Sequence, residues 1–146
     1  IEVITTPYAH PILPLITDSK LALVGNPTGE SPTQFSYPQD AAEHLSRSVE
    51  IYLDHYGQAP TGLWPGEGSV AQEIVPMVIQ AGYQWIATGE PVLAKSLNIE
   101  FSRDGKETVR QADELYRPYY VTDGNGNNLA VFFRDWVISD KIGFTY

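Results

Sequence analysis

Apolar residues recur along the chain with two different periods, which predict strands and helices in alternation. Residues 2–6 are mostly β-branched and predict a first strand, which Pro7 ends. Between residues 39 and 56 the apolar side chains recur every three or four positions, which is the spacing of one helical face. Pro38 suits the first turn of this predicted helix, and Gly57 suits its C-terminal end.

The alternation continues through the middle of the chain. A very short strand at residues 61–65 runs into a glycine-rich turn, and a second helix is predicted from there to Ala81. Ser69 and Gln72 have the spacing of a capping box at the start of that helix. Pro76 lies inside the predicted span and is expected to kink it.

Three more strands are predicted in the second half. Residues 83–88 predict one of them, and a helical turn follows it through Leu97. Residues 116–122 and 129–133 predict the other two. They flank the segment DGNGNN, which strongly favours a hairpin.

This order of elements predicts the fold class. Strand, loop and helix alternate at least three times, which is typical of βα units around a mainly parallel sheet. The strands are too few to close a barrel. We therefore expect an α/β fold, a partial (β/α) barrel with one hairpin, in which residues 1–146 are a fragment of a single larger domain. Exposed sheet edges in such a fragment would favour self-association.

Composition excludes several classes of protein. The 146 residues carry a net charge of −9, so the chain lacks the basic surface that nucleic acids and anionic membranes require. No apolar run approaches the roughly 18 residues of a membrane-spanning helix. There are no cysteines, which excludes disulfides, thiol nucleophiles and thiolate metal sites without fixing the cellular compartment.

The aromatic content bears on the kind of ligand. Aromatic residues make up 12% of the chain and include nine Tyr and three Trp. Aromatic rings stack on the apolar faces of sugar rings, which would suit an oligosaccharide. Because Tyr also lies half-buried at the ends of structural elements in many proteins, composition alone leaves both interpretations open.

The loop at residues 62–70 holds the first candidate for chemistry. Glu67 lies between Gly66 and Gly68, directly after a predicted strand and before a predicted helix. Glycines permit unusual backbone angles, and a helix N-terminus favours an ionised carboxylate. An ionised carboxylate at a strand end is what a glycosidase nucleophile requires. The alternative is a carboxylate that only stabilises the helix dipole.

Other strand-end residues allow a functional and a structural interpretation. Asp135 follows an apolar strand, and with Asp140 it could supply the acid and the nucleophile of a retaining glycosidase. Alternatively, Asp135 forms a structural ion pair with Arg134. His10 lies in a proline-rich loop and could bond a sugar hydroxyl or be a structural histidine. Glu90 ends a strand and could equally be a helix-start carboxylate.

No metal or cofactor is predicted. The three histidines, His10, His44 and His55, are scattered, and no spacing typical of a zinc site or a nucleotide-binding loop occurs. Ser69 lacks the glycine-flanked elbow of a serine hydrolase.

Four stretches together resemble glycoside hydrolase family 57, in its amylopullulanase and α-amylase/α-mannosidase-like branch. In chain order they are EVITTPYAHPILPL, GLWPGEGSV, WIATGE and FFRDWVISDKIGF, at residues 2–15, 62–70, 85–90 and 132–144. They follow the order of the family's motifs and span nearly the whole chain. Each motif alone is moderately specific, and the four in register are a strong indication.

The resemblance implies a distorted seven-stranded (β/α) barrel and a retaining mechanism on α-glucans, without a cofactor. Glu67 matches the family's nucleophile, and His10 matches its substrate-binding histidine. Trp64 and Asp135 match positions that line the cleft, and Glu90 matches the acidic end of another substrate-binding stretch. The expected partner is an oligo- or polysaccharide, and a cytoplasmic location is favoured.

The sequence also departs from the family's pattern. Gly89 stands where Asp is usual, and Trp136 stands where His is frequent. The family's opening His-Gln-Pro strand and the later Asp that acts as general acid have no counterpart in these residues. Because a glycosidase without its acid cannot protonate the leaving oxygen, we expect this chain by itself to be inactive.

Two alternatives remain open from the sequence. A related barrel, a metal-dependent polysaccharide deacetylase or mannosidase, would need a cluster of Asp and His ligands. A sugar-binding remnant would keep the fold without turnover, and Gly89 and Trp136 are the residues that favour it.

Overall fold

Helices and short strands alternate in the structure, a computed structural model that describes residues 2–30 and 33–145. The strands are β1 (Gly62–Leu63), β2 (Trp85–Gly89), β3 (Tyr119–Thr122) and β4 (Asn128–Arg134). The helices are α1 (Leu13–Thr17), α2 (Ala22–Gly25), α3 (Pro38–Tyr56), α4 (Val75–Gln80), α5 (Glu90–Leu97), α6 (Ala112–Leu115) and α7 (Trp136–Asp140). Shorter helical turns lie at Ser19–Leu21, Gly66–Gly68, Gln72–Ile74 and Lys141–Thr145.

The four strands form one sheet in the spatial order β1–β2–β4–β3. β1 pairs with β2 and β2 pairs with β4 in parallel, whereas β3 and β4 are antiparallel. The predicted α/β fold, with a mainly parallel sheet and one hairpin, is therefore confirmed. Helix α4 connects β1 to β2, and helices α5 and α6 lie between β2 and the hairpin.

The first predicted strand, at residues 2–6, is reduced to a single contact. Thr5 forms an isolated parallel bridge to Leu63, with Thr5 accepting from the Trp64 N–H and donating to Gly62. The physical reason is that β1 is only two residues long, so it offers a partner to one residue of the N-terminal segment. That segment nevertheless runs alongside β1 in the same direction.

Helix α3 has the bounds that its hydrophobic period predicts. Its buried side chains, Ala41, Leu45, Ser48 and Tyr52, fall on one face. Pro38 lies in the first turn, and Gly57 ends the helix in the left-handed conformation with φ 70°. Through this face α3 packs against the sheet, since Ala41 and Leu45 belong to the same core cluster as side chains of β2 and β4.

One face of the sheet builds the core. Ile86 in β2 and Leu129 and Val131 in β4 pack against side chains from α1, α3 and α4. Side chains alternate along a strand, so their neighbours Trp85 and Phe132 lie on the opposite face, where Phe132 is 44% exposed. The sheet thus has a helix-covered face and an open face.

The predicted capping box at the second helix is wrong. The Ser69 N–H bonds to the Gly66 carbonyl and closes the turn that contains Glu67, while Gln72 donates its side-chain amide to the Thr122 carbonyl. The helical segment therefore begins only at Gln72. Pro76 lies in the first turn of α4 and does not kink an interior, because an N–H is not needed there.

The hairpin between β3 and β4 is confirmed. The Asp123 carboxylate accepts hydrogen bonds from the backbone N–H groups of Asn125 and Asn127, which fixes the turn. Among the described helices, none is long and apolar enough to cross a membrane.

Candidate active site

Four predicted site residues lie at the carboxyl ends of neighbouring segments that run parallel in the sheet. His10 comes after the segment bridged at Thr5, Glu67 after β1, Glu90 at the end of β2, and Asp135 directly after β4. Parallel strands end at one edge of a sheet, so these loops share that edge. In (β/α) folds this edge is where functional residues gather.

Glu67 is held in an uncommon backbone conformation. It lies in the turn Gly66–Gly68 with φ 56°, in the left-handed region that a side chain with a Cβ rarely adopts. Its side chain is 72% exposed, and its Oε1 lies 3.4 Å from the Nε2 of His10. The carboxylate is therefore presented to solvent rather than committed to the core.

His10 is oriented by a second contact. Its Nδ1 lies 2.7 Å from the hydroxyl oxygen of Thr6, and both Ala9 and His10 are in the left-handed region, with φ 58° and 56°. Gly66 allows the two loops to meet, because a Cβ on Gly66 would lie 2.3 Å from the Pro11 carbonyl oxygen. The close approach therefore requires glycine at this position.

A small cleft of about 110 Å³ opens beside Glu67 at this edge. Its lining includes one carboxylate, one guanidinium and two indole rings, and consists of Trp64, Glu67, Gly68, Thr88, Gly89, Pro91, Val92, Arg134 and Trp136. The Arg134 guanidinium lies 5.2 Å from the centre of the Trp64 ring and 5.9 Å from that of Trp136. Both distances are within the range of cation–π attraction.

Glu90 and Asp135 are instead joined in an ionic cluster with Arg103 and Tyr116, in which the two carboxylates are buried while Tyr116 remains 55% exposed. Arg103 donates to both oxygens of Glu90, with Nη1 to Oε1 at 2.9 Å, and to Oδ1 of Asp135 at 3.0 Å. The Tyr116 hydroxyl donates to Oδ2 of Asp135 at 2.7 Å. The two acids are 7% exposed each, so their charges are compensated inside the protein.

The same two acids also hold backbone groups at the start of α7. Oε2 of Glu90 accepts the Trp136 N–H at 3.2 Å, and Oδ1 of Asp135 accepts the Ile138 N–H at 3.0 Å. Asp135 is thus the N-cap of α7. The ionic cluster therefore fixes the backbone from which Trp136 projects.

The cluster shifts the protonation of its members. Burial raises the pKa of Asp135, but hydrogen bonds from Ile138, Tyr116 and Arg103 outweigh burial and leave that pKa below its usual value. Burial, and then the bond to Asp135, raise the pKa of Tyr116 to about 12. The bond to Glu90 raises the pKa of Arg103 further above its ordinary value. Asp135 and Arg103 are charged and Tyr116 is neutral near pH 7.

The structure brings together some of the predicted residues and separates others. Glu67 and Trp64 line the cleft and His10 lies beside Glu67, whereas Glu90 and Asp135 lie in the ionic cluster with all four carboxylate oxygens bonded to protein groups. Their predicted role in binding substrate stays a prediction.

Two interpretations from the sequence are wrong. Asp135 does not pair with Arg134. It pairs with Arg103, because the Arg134 side chain is on the opposite side of β4 and stacks on indole rings. Glu67 also has no helix N-terminus directly after it, since the helical segment begins at Gln72, so the dipole argument for its ionisation loses its basis.

Sequence reasoning missed Arg103 and Tyr116. Two acids at buried strand ends require a cation, but a pattern of residues does not say which of nine Lys and Arg supplies it. Arg103 belongs to a polar segment with almost no regular structure, closed by one bridge to Val109. No group of three His, Cys, Asp or Glu side chains that could hold a metal occurs within residues 2–30 and 33–145.

Parallel strands that present carboxylates and aromatic rings at their carboxyl ends are typical of (β/α)-barrel folds. The model of glycosyl hydrolase family 57 matches residues 1–146, so the chain belongs to this family. No match was found among curated protein sequences.

Solved structures of the family share the fold. The α-amylase AmyC from Thermotoga maritima is 20% identical with a TM-score of 0.63, over 97% of this chain and 21% of its own. A family 57 branching enzyme from Pyrococcus horikoshii is 20% identical with a TM-score of 0.59, over 98% and 24%. For the 4-α-glucanotransferase from Thermococcus litoralis the values are 19%, 0.57, 98% and 17%. This chain thus spans about a fifth of their lengths.

Proposed function

We propose that these residues form the nucleophile-bearing part of a retaining enzyme that acts on α-glucans, with Glu67 as the nucleophile. The similar solved structures are an α-amylase, a family 57 branching enzyme and a 4-α-glucanotransferase, and these names support a substrate of this kind. The proposed partner is an α-linked oligo- or polysaccharide of glucose.

The observation that carries the proposal is the presentation of Glu67. Its carboxylate is exposed at the edge of a cleft lined by Trp64 and lies 3.4 Å from His10. The left-handed backbone at Glu67 is a strained conformation of the kind that concentrates at functional sites. Gly66 and the His10 loop together hold that conformation.

In the proposed reaction the Glu67 carboxylate attacks the anomeric carbon of the sugar. The bond from that carbon to the glycosidic oxygen breaks, and the oxygen takes a proton from a general acid. A glycosyl ester on Glu67 results. Water or the hydroxyl of an acceptor sugar then attacks the anomeric carbon, loses its proton to the same acid residue, and releases the carboxylate. Water gives hydrolysis, and an acceptor sugar gives transfer.

Asp135 is a poor choice for the general acid. A general acid must hold its proton near neutral pH, which requires a raised pKa. Hydrogen bonds within the ionic cluster keep the pKa of Asp135 low, and its oxygens are already bonded. We therefore assign the acid to an Asp outside these 146 residues, as the resemblance to the family's motifs implies.

The test is product analysis on maltoheptaose with the enzyme that contains these residues. Glu67→Gln is expected to lower the rate on the order of a thousandfold or more, as the loss of a covalent nucleophile does. Glu73→Gln is the matched control, because Glu73 is an exposed carboxylate in the neighbouring helical turn. It should leave the rate unchanged.

A nucleophile can also be replaced from solution. Azide added to Glu67→Ala should attack the anomeric carbon directly and give a glycosyl azide of inverted configuration. Unaltered products from Glu67→Gln, or no azide adduct from a folded Glu67→Ala, would contradict the assignment. The lengths of the normal products would distinguish hydrolysis from transfer.

A further inference from the structure

The Trp64–Arg134–Trp136 stack is the part of the cleft that the proposed chemistry does not use. Trp136 is 46% exposed, and it is one of the large apolar side chains that the fold leaves uncovered. Arg134 makes no ion pair with any of the described residues, whereas Arg103 bonds two carboxylates. An exposed indole and an uncommitted guanidinium thus face the same cleft.

Backbone geometry holds the two rings in place. The Trp64 ring packs on Gly68, where a Cβ would come within 3.3 Å of it. Trp136 packs on Gly89, where a Cβ would lie 3.9 Å from its ring and 3.4 Å from Pro91. A methyl group therefore fits at residue 89 in ordinary contact, but a longer side chain would have to displace the Trp136 ring.

A contact from Glu90 also holds Trp136 in place. Its carboxylate accepts the Trp136 N–H and is itself fixed by Arg103. The position of Trp136 is thus set by a buried charge cluster, although its ring is half-exposed. Rigid placement of an exposed ring is the property expected of a binding platform, since little conformational freedom is lost when a ligand stacks on it.

We propose that Trp136 and Arg134 form a pyranose-binding subsite beside Glu67. Trp136 stacks on the apolar face of one glucose unit, and Arg134, oriented by the two indoles, donates hydrogen bonds to its hydroxyls. The ligand class is a neutral α-linked glucose oligosaccharide, so the inference rests on the proposed substrate. It assigns binding to two residues and needs no turnover.

The two positions that depart from the family's pattern are neighbours in this structure. A Cβ on Gly89 would lie 3.9 Å from the Trp136 ring, so the absence of a longer side chain at residue 89 leaves room for the indole. Gly89 is also the N-cap of α5, with φ −99° and ψ 153°, a conformation open to any residue. Asp is favoured at such a position, so Gly89→Asp should fold at least as well while crowding Trp136.

The experiment is titration with maltoheptaose of the enzyme that contains these residues, in its Glu67→Gln form so that the ligand is not consumed, followed by calorimetry and by tryptophan fluorescence. Trp136→Ala and Arg134→Met should each weaken binding about tenfold, as loss of a central contact does. Gly89→Asp should weaken it to a similar degree without loss of thermal stability, and Gly89→Ala should bind like the unaltered chain. Tyr56→Ala is the control, because Tyr56 is 56% exposed but lines a different groove.

Binding that is absent, or that changes less than twofold in both Trp136→Ala and Arg134→Met, would overturn the subsite. A fall in binding with Gly89→Ala equal to that with Gly89→Asp would also overturn it, because a methyl group fits beside the ring in ordinary contact and does not displace it. Glu67→Gln separates this inference from the proposed catalysis. Binding should survive that substitution, and the rate test on Glu67 does not depend on Trp136.

Discussion

Two sets of carboxylates lie at neighbouring strand ends, and the protein treats them in opposite ways. Glu90 and Asp135 are buried, and every one of their oxygens accepts a hydrogen bond from Arg103, Tyr116 or the backbone of α7. Glu67 is 72% exposed, with His10 at 3.4 Å as its neighbour. At this edge of the sheet, the carboxylates of Glu90 and Asp135 stabilise the fold, whereas the carboxylate of Glu67 is accessible to solvent.

The difference is set by the partners and not by the strand end itself. A buried carboxylate without a cation would be very costly, so burial of Glu90 and Asp135 depends on Arg103. Glu67 needs no partner because water solvates it, but its backbone is strained. The ionic cluster of Glu90, Asp135 and Arg103 is thus rigid, whereas the residue presented at the cleft, Glu67, has a strained backbone.

The largest effect is expected from Arg103→Met. This change leaves two carboxylates buried without their cation, and the free energy of unfolding should fall by about 3 kcal/mol. We choose the lower end of the usual range because the Arg103 side chain retains 17% exposure. Chemical denaturation measures the loss. Arg47→Met, which breaks an exposed ion pair to Glu43, is the control and should change stability little. Equal losses in both variants would refute the special position of the cluster.

A pH effect should follow from Tyr116. Its folded pKa is raised to about 12, above its ordinary value, because burial and Asp135 oppose the phenolate. A raised folded pKa contributes stability that is complete below the unfolded pKa, near 10, and is lost as the pH rises toward 12. Tyr116→Phe should therefore flatten the fall of Tm between about pH 10 and pH 12. Because burial also raises the pKa of Tyr83, the tyrosinate absorbance of the unaltered protein should show more than one late-titrating residue, and one of these should be missing in Tyr116→Phe.

Tyr56→Phe provides the comparison for that experiment. Tyr56 is 56% exposed and lies outside the cluster, so its replacement should leave the alkaline slope unchanged. On the acid side, Asp135 acts in the opposite direction. Its pKa is depressed, so its contribution is present above the unfolded carboxyl pKa and is lost as the pH falls through the folded one. An alkaline slope that is identical in all three proteins would contradict the assignment to Tyr116.

A smaller effect, of opposite sign, is expected at Glu67. Glycine tolerates φ 56° without the contact between Cβ and the carbonyl that strains other residues. Glu67→Gly should therefore raise the free energy of unfolding by roughly 0.5 to 1 kcal/mol, after allowance for the greater freedom of glycine in the unfolded chain. Glu67→Gln keeps the Cβ and should leave stability unchanged. A loss of stability in Glu67→Gly would show that the strain is not located there.

The sequence predicted the elements that depend on local signals, but not all of the contacts between distant residues. The bounds of α3 followed from its apolar period and its flanking Pro38 and Gly57, which are local signals. The hairpin followed from its turn residues in the same way. The position of Glu67 beside His10 required the resemblance, because 57 residues separate them along the chain and no local pattern joins them.

Partners that depend on tertiary packing were not predictable. Asp135 has Arg134 beside it in sequence, but alternation along β4 directs the two side chains to opposite faces, so its cation comes from Arg103. The capping box at Ser69 failed for a related reason, because the tight turn around Glu67 takes the Ser69 N–H and the hairpin takes the Gln72 side chain. Both errors arose where a distant contact replaced a local one.

The smallest effect should come from Thr6, the residue behind His10. With the Glu67 carboxylate facing Nε2, the favourable arrangement has a proton on Nε2 and a lone pair on Nδ1, which accepts from the Thr6 hydroxyl at 2.7 Å. Thr6→Val keeps the shape of the side chain and removes this donor. We expect a stability loss of about 0.5 kcal/mol, as for an exposed hydrogen bond.

A clearer difference should appear in the ring itself. In Thr6→Val the ring nitrogen chemical shifts of His10 should move toward a mixture of tautomers, and turnover by the enzyme should fall severalfold because Nε2–H no longer faces Glu67 in every molecule. Thr6→Ser restores the hydroxyl and should restore both properties. If Thr6→Val and Thr6→Ser behaved alike, the hydroxyl would have no part in orienting His10. The left-handed backbone at Ala9 and His10 would then be the sole device that aims the imidazole at the carboxylate.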